Sequence, residues 1–219
     1  MAVTKPKKVY GRLLEVDLPI PTERDWIFEA LQDPGVYLML GCKSPPDRRQ
    51  FDDDLLEMWE EDRHWQAPVR YHLVRSLADG HPVGFFVDFG WSYPSDSTRE
   101  IDMCIPNVKD RGAGYYYDAN VIFIVYLFSN GLAKRLRWRV HVKGDREPMR
   151  SARQGGRLLD KRQVTHPMTG EPATRYLYEL SLADFEEIGR FLGVNPRAYC
   201  PGIDPSAFDG FRELVKGKS

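Results

Sequence analysis

Hydrophobic and polar positions change period several times along the chain, and each change marks an element. Tyr71 to Leu77 and Val83 to Trp91 are strand-like runs joined by Ala78-Asp79-Gly80-His81-Pro82, a hairpin signal. Arg99 to Ile105 is a third such run. Leu136 to Val142 alternates, with Arg135, Arg137, Arg139 and His141 set between Leu136, Trp138, Val140 and Val142, so a strand there puts the basic row on one face. Leu158 to Val164 and Tyr176 to Ser181 supply two more strands. Trp26 to Leu31 reads as a helix, with Thr22 as N-cap ahead of acidic Glu23 and Asp25. The acidic stretch Asp47 to Arg63 gains one apolar side from Leu55, Leu56, Met58 and Trp59 and reads as an amphipathic helix. Glu147 to Gln154 forms a short helix closed by Gly155-Gly156, and Leu182 to Leu192 another, before a tail broken by prolines and glycines.

Tyr115 to Phe128 sets two rules against each other. Its β-branched Val121, Ile122, Ile124 and Val125 favour a strand, while its length and the Asn130-Gly131 stop favour a helix buried on most sides.

With 219 residues, 42% of them hydrophobic and 29% charged, and a formal net charge of -1, the chain has an ordinary globular composition and length enough for a sizeable core. The balance excludes an overall bias toward nucleic acid or membrane, so function must come from local charge. Lys5, Lys7 and Lys8 are not followed by an apolar stretch of signal-peptide length, and Val121 to Phe128 is too short to span a bilayer. Cys42, Cys104 and Cys200 are odd in number and widely separated, which argues against a disulfide scaffold or structural zinc. The cysteine pattern fits a reducing cytoplasm, which is the expected location, and the five histidines lack ligand spacing, so no metal is expected.

The stretch that carries chemistry follows the Arg99 to Ile105 run. It is Lys109-Asp110-Arg111-Gly112-Ala113-Gly114, leading into the long apolar segment that begins at Tyr115. Glycines at alternate positions let successive N–H groups converge on an anion, and Lys109 and Arg111 add full charges. At a helix start the macrodipole adds to this, so the loop suits a pyrophosphate. It lacks the ending of a P-loop and one glycine of the dinucleotide fingerprint.

Strand, Arg-Gly-x-Gly loop and helix in this order resemble the acyl-coenzyme A loop of the GNAT N-acetyltransferases, whose pattern is Q/R-x-x-G-x-G/A; Lys109 departs from it mildly. Leu18 to Asp25 followed by Trp26 to Leu31 looks like that family's first strand and helix. The element order over Tyr10 to Ser181 resembles the whole domain, and most the branch that includes ribosomal-protein N-terminal acetyltransferases. The resemblance implies an α/β (α+β) fold: a mixed, mostly antiparallel central sheet of about seven strands flanked by helices, with Tyr115 to Phe128 helical. Residues 1–181 would form the acyltransferase domain, and residues 182–219 a C-terminal helix and tail packed on it.

The activity implied is transfer of an acyl group, chiefly acetyl, from acetyl-CoA to a primary amine by direct attack. In the family, the backbone here spanning Met103, Cys104 and Ile105 pairs with the pantetheine arm, so those residues join Lys109, Arg111, Gly112, Ala113, Gly114, Tyr115 and Asp145 as coenzyme-binding candidates. Glu100 stands where many members place a carboxylate that deprotonates the amine. Asp102, two residues on, shares its face and is the alternative, and either could instead pair with Arg99 or another base. The family's proton-donating Tyr is absent, its position falling on Ala152 or Ser151, and Ser151 is the candidate to order the thiolate or a water. Asp145 replaces a common Asn, and Gly156-Arg157 a usual Gly-Phe. The first helices overhang the acceptor pocket in the family, so the acidic stretch Asp47 to Arg63 would attract a cationic amine. Expected partners are an amine-bearing small molecule or protein, with a second copy of the chain a candidate and neither nucleic acid nor membrane expected. Two competing readings stand beside this one: a ribosome- or RNA-associated protein using the bases of Leu132 to Gln163, and a catalytically weak CoA-binding sensor.

Overall fold

The computed structural model describes residues 8–59, 69–89, 98–112, 115–130, 132–143, 156–181 and 183–184. The helix expected over Glu147 to Gln154 lies outside the described residues, as do Ala113, Gly114, Asp145 and Ser151 and all but two residues of the C-terminal helix and tail. Among the described residues eight strands form one sheet: β1 (Val9–Tyr10), β2 (Leu14–Asp17), β3 (Val69–Ser76), β4 (Pro82–Phe89), β5 (Thr98–Cys104), β6 (Arg135–Val142), β7 (Arg157–Thr165) and β8 (Pro172–Ser181). Their spatial order is β1-β2-β3-β4-β5-β6-β8-β7. Every neighbouring pair is antiparallel except β5 and β6, which run parallel.

That parallel pair requires a crossover. It contains the apolar helix α4 (Tyr115–Ser129), so tertiary burial overrides the β-branched residues' preference for strand. Ala119 and Ile122 to Phe128 are all buried, as expected of a helix apolar on all sides. α4 covers one face of the sheet, packing on Val9, Leu14, Val16, Val74, Phe86, Ile101 and Leu136. The other face is covered by α1 (Arg24–Leu31), the four-residue α2 (Pro34–Tyr37) and α3 (Arg48–Trp59), whose Ile27, Leu31, Val36, Phe51 and Leu55 pack on Tyr71, Leu73, Phe85, Val87 and Cys104.

The N-terminus departs from expectation. The first strand lies before Leu18 and is a β1–β2 hairpin rather than a single strand, which accounts for eight strands instead of about seven. Asp118 in the first turn of α4 clamps that hairpin, accepting hydrogen bonds from the backbone N–H groups of Arg12, Leu13 and Leu14 at 3.2, 2.9 and 3.0 Å. A side chain on Gly11 would put its Cβ 2.5 Å from Ile122 Cγ2, so only glycine lets the turn approach the helix this closely. Thr22 is not the N-cap of α1. Pro21 starts a 3-10 turn, Pro21–Glu23, and Glu23 ends it, accepting from the Ile20 N–H at 2.8 Å and from Arg75 at 2.6 Å while α1 begins at Arg24.

Beneath α4 lies a buried ionic cluster drawn from three adjacent strands. Asp88 of β4 accepts from Arg70 of β3 and Arg99 of β5, and all three are nearly or wholly buried. His72 lies beside them, Nε2 3.5 Å from Asp88 and its ring against Phe123 and Tyr126 at 5.1 and 5.2 Å. Arg99 therefore points away from Glu100 and Asp102, which lie on the opposite face of β5.

Candidate active site

The pairing of β5 and β6 covers three residue pairs, Thr98 with Arg135, Arg99 with Leu136 and Glu100 with Arg137, and then ends although both strands continue. From that point Ile101 to Met103 and Trp138 to His141 line a cleft of about 560 Å³ that passes between the strands. Phe86 and the α4 residues Tyr116, Asn120 and Ile124 line the α4 side. On the other side two lips enclose it, Met39-Leu40-Gly41 after α2 and His166-Pro167-Met168 in the β7–β8 turn. That turn is closed by Gly170 at a φ of +70° and by His166, whose Nδ1 accepts from the N–H groups of Met168 and Thr169 at 3.2 and 3.3 Å.

The two carboxylates of β5 differ in their surroundings. Glu100 is buried and held by Arg139, whose Nη2 lies 2.8 and 2.9 Å from its two oxygens. Burial raises its pKa, opposed by Arg139, Arg175 and Arg137. Asp102 lines the cleft itself. Burial and the neighbouring charge of Glu100 push its pKa up to about 7, with Arg139 opposing. A carboxylate poised near neutrality beside a cleft is matched to proton transfer. His141, half-buried, has its pKa lowered by burial and by His166, Arg175 and Arg139, so it is neutral at pH 7. Its ring meets that of His166 edge-on at 5.7 Å.

Of the other candidates, Met103 lines the cleft with its Sδ 3.4 Å from Asn120 Nδ2. Cys104 points into the α1–α3 core, where burial pushes its thiol up to about 12, so at neutral pH it is not a nucleophile. Val108–Gly112 forms a 3-10 turn started by Asn107, whose Oδ1 accepts from the Lys109 N–H at 3.0 Å. Arg111 folds back on this loop, its Nε donating to the carbonyl of Ile105 at 2.9 Å and its Nη2 to that of Pro106 at 3.1 Å. Lys109 is exposed, and Tyr115 is half-buried against the α4 core. The structure thus brings Asp102 and Met103 to the cleft with Glu100 directly behind.

The basic row of β6 does lie on one face, but it is engaged within the fold. Arg137 donates to Glu179 at 2.6 Å, Glu179 also accepts from Arg157 at 2.7 Å, Arg139 pairs with Glu100, and Arg135 donates to Thr98 at 3.2 Å. Sequence reasoning missed the two lips and His141. The turn signal His166-Pro167-Met168-Thr169-Gly170 was available for one of them. Among the described residues no three histidine, cysteine or acidic side chains gather to hold a metal ion, and no helix is long and apolar enough to cross a membrane.

Solved structures share this architecture. An acetyltransferase of the GNAT family from Bacillus anthracis superposes with a TM-score of 0.58 at 15% identity, covering 80% of this chain and 98% of that one. The fold is that of the GNAT acetyltransferases. Mycobacterium smegmatis RimJ in complex with CoA-disulfide matches at 0.59 and 13% identity over 86% of this chain and 95% of its own. Spermidine N-acetyltransferase from Vibrio cholerae, in complex with CoA and spermine, matches at 0.57 and 11% identity over 78% and 97%. No protein-family model and no curated protein matches the sequence.

Proposed function

We propose that this chain is an acyl-coenzyme A-dependent N-acyltransferase, chiefly an acetyltransferase, with Asp102 as the base. The observation that carries the reading is the cleft opened where β5 and β6 stop pairing, with the near-neutral Asp102 carboxylate on its wall. The backbone of Met103 to Ile105 would pair with the pantetheine arm, and the loop Lys109 to Gly114 would receive the pyrophosphate on amides beyond Lys109 and Asp110, whose own N–H groups are held by Asn107. The bound donor supplies an activated thioester carbonyl. Asp102 takes a proton from the amine as its nitrogen bonds to that carbon, the carbon–sulfur bond breaks, and the thiolate leaves with a proton from solvent or a nearby donor. Glu100, held by Arg139, acts by raising the proton affinity of Asp102. The chemistry needs no covalent enzyme intermediate, which agrees with the inert Cys104.

The test is calorimetry with CoA on the wild type and on Gly112→Asp, followed by thiol release from acetyl-CoA in the presence of amines. Saturable CoA binding that Gly112→Asp abolishes supports the reading. Absence of CoA binding by the wild type overturns it.

A further inference from the structure

The acceptor side of the cleft has a composition that selects among amines. Met39 and Met168 stand on opposite lips and are 39% and 45% exposed, large apolar side chains left in water at the mouth of a cavity. Met168 reaches far enough toward α2 that its Cε lies 4.0 Å from where a Cβ on Gly35 would sit, so the β7–β8 turn approaches the start of that helix across the mouth. Thioethers adapt to flat apolar partners and make favourable contacts with aromatic rings. Leu40 and Pro167 extend the same surface. Among the described residues the polar groups of this side are few: Asp102 on the wall, Arg139 paired with Glu100, and His141 and His166 joined ring to ring. Among the described lining residues Asp102 is the one carboxylate, enough for one ammonium group and not for several. Among the described residues of α3 no acid lines the cleft, and Asp52 is taken by Arg48 at 3.1 Å.

We propose that the acceptor is a small monoamine with an apolar, ring-sized body, held between Met39-Leu40 and Pro167-Met168 with its amine at Asp102. This rests on the acyl-transfer reading and narrows it. A polycation such as a polyamine or an aminoglycoside would leave its remaining charges against methionine and proline, a desolvation cost with no further carboxylate among the described lining residues to offset it.

Thiol release from acetyl-CoA is measured with phenethylamine, spermidine, kanamycin and a peptide beginning Met-Leu. Phenethylamine is expected to exceed spermidine and kanamycin in kcat/KM by about 100-fold or more. Met168→Glu, a change on an exposed turn, is expected to lower the phenethylamine value about tenfold and raise that for spermidine. In parallel, methyl-13C methionine spectra of the CoA-bound protein, with Met39 and Met168 assigned by substitution, should show both methyls moving with phenethylamine and not with spermidine. CoA binding with spermidine, kanamycin or the peptide as the better acceptor overturns this proposal and leaves the acyl-transfer reading standing. If CoA binds but no amine turns over, the methionine methyls decide, and their failure to move with phenethylamine overturns it. If CoA does not bind, both fall.

Discussion

Replacing Asp102 by Asn should make the protein more stable and less active, and the stability gain should depend on pH. The carboxyl titrates near 7 in the fold against an ordinary value of 3.8, because burial and Glu100 disfavour its charge. A raised folded pKa means that the folded state binds the proton more tightly than the unfolded chain. The ionised form therefore costs nothing below pH 3.8, and its cost grows as pH rises through 7. At 1.36 kcal/mol per pKa unit, the cost at pH 8 reaches about 4 kcal/mol, and at pH 5 it is under about 2 kcal/mol. Asn removes the charge, so urea unfolding should show a gain of up to about 4 kcal/mol at pH 8 that falls by more than half at pH 5. Turnover should drop about 100-fold. With an amine weakly basic enough to be neutral above pH 6, wild-type kcat/KM should rise about tenfold between pH 6 and 8, and the Asn variant should lack that rise. An equal gain at both pH values would refute the electrostatic argument. An active Asp102→Asn beside an inactive Glu100→Gln would transfer the role of base to Glu100.

The buried His72 should make stability fall on the acid side. Its folded pKa is lowered to about 4, chiefly by burial, so the unfolded chain binds its proton first, and about 3 kcal/mol is lost between pH 7 and 4. Arg70 on its own strand, Asp88 on β4 and Arg99 on β5 are the charged groups beside it, and Asp102 titrates with the opposite sign, so the readout is the difference in slope between wild type and His72→Phe; parallel slopes would contradict the assignment. Asp88→Ala leaves two buried guanidinium groups without their counter-charge and should cost about 3 to 5 kcal/mol by urea unfolding, a loss below about 1 kcal/mol counting against a structural role for the cluster. Asp118→Ala frees three backbone donors at the β1–β2 turn and should cost about 3 kcal/mol or more, with hydrogen exchange rising at Arg12, Leu13 and Leu14; unchanged exchange at those amides would show that the clamp is not what holds the hairpin.

The fold was largely legible because its long elements carry distinct patterns, from alternation to unbroken apolar runs. The alternation of Leu136 to Val142 and the apolar length of Tyr115 to Phe128 correspond to β6 and α4 within a residue or two. The N-terminal hairpin escaped because Leu14–Asp17 is too short for a period, and what holds it is an acid more than 100 residues away. The Arg70–Asp88–Arg99 cluster was illegible for a related reason: each charge reads as a solvent-facing position until three strands and α4 are assembled around it. At the site, sequence spacing identified the face shared by Glu100 and Asp102. It could not tell which of them Arg139 would hold, since that follows from the parallel register of β5 and β6. The lips come from segments that meet only after the sheet forms.

Among the described residues, a sheet whose central pair parts company has four strand edges instead of two, and edges invite other chains to add strands. Two of the four, along Ile101 to Cys104 and Trp138 to His141, face one another across the cleft, where the lips bar a foreign strand from lying alongside either. Of the outer two, β1 is only two residues long. β7 is nine residues long and largely exposed, with Leu158 and Leu159 in water, and it carries Arg157, Lys161 and Arg162. Charges on an edge strand disfavour its pairing with a second copy. Removing them to weaken an imagined nucleic-acid surface would more readily yield aggregates than a clean loss of function.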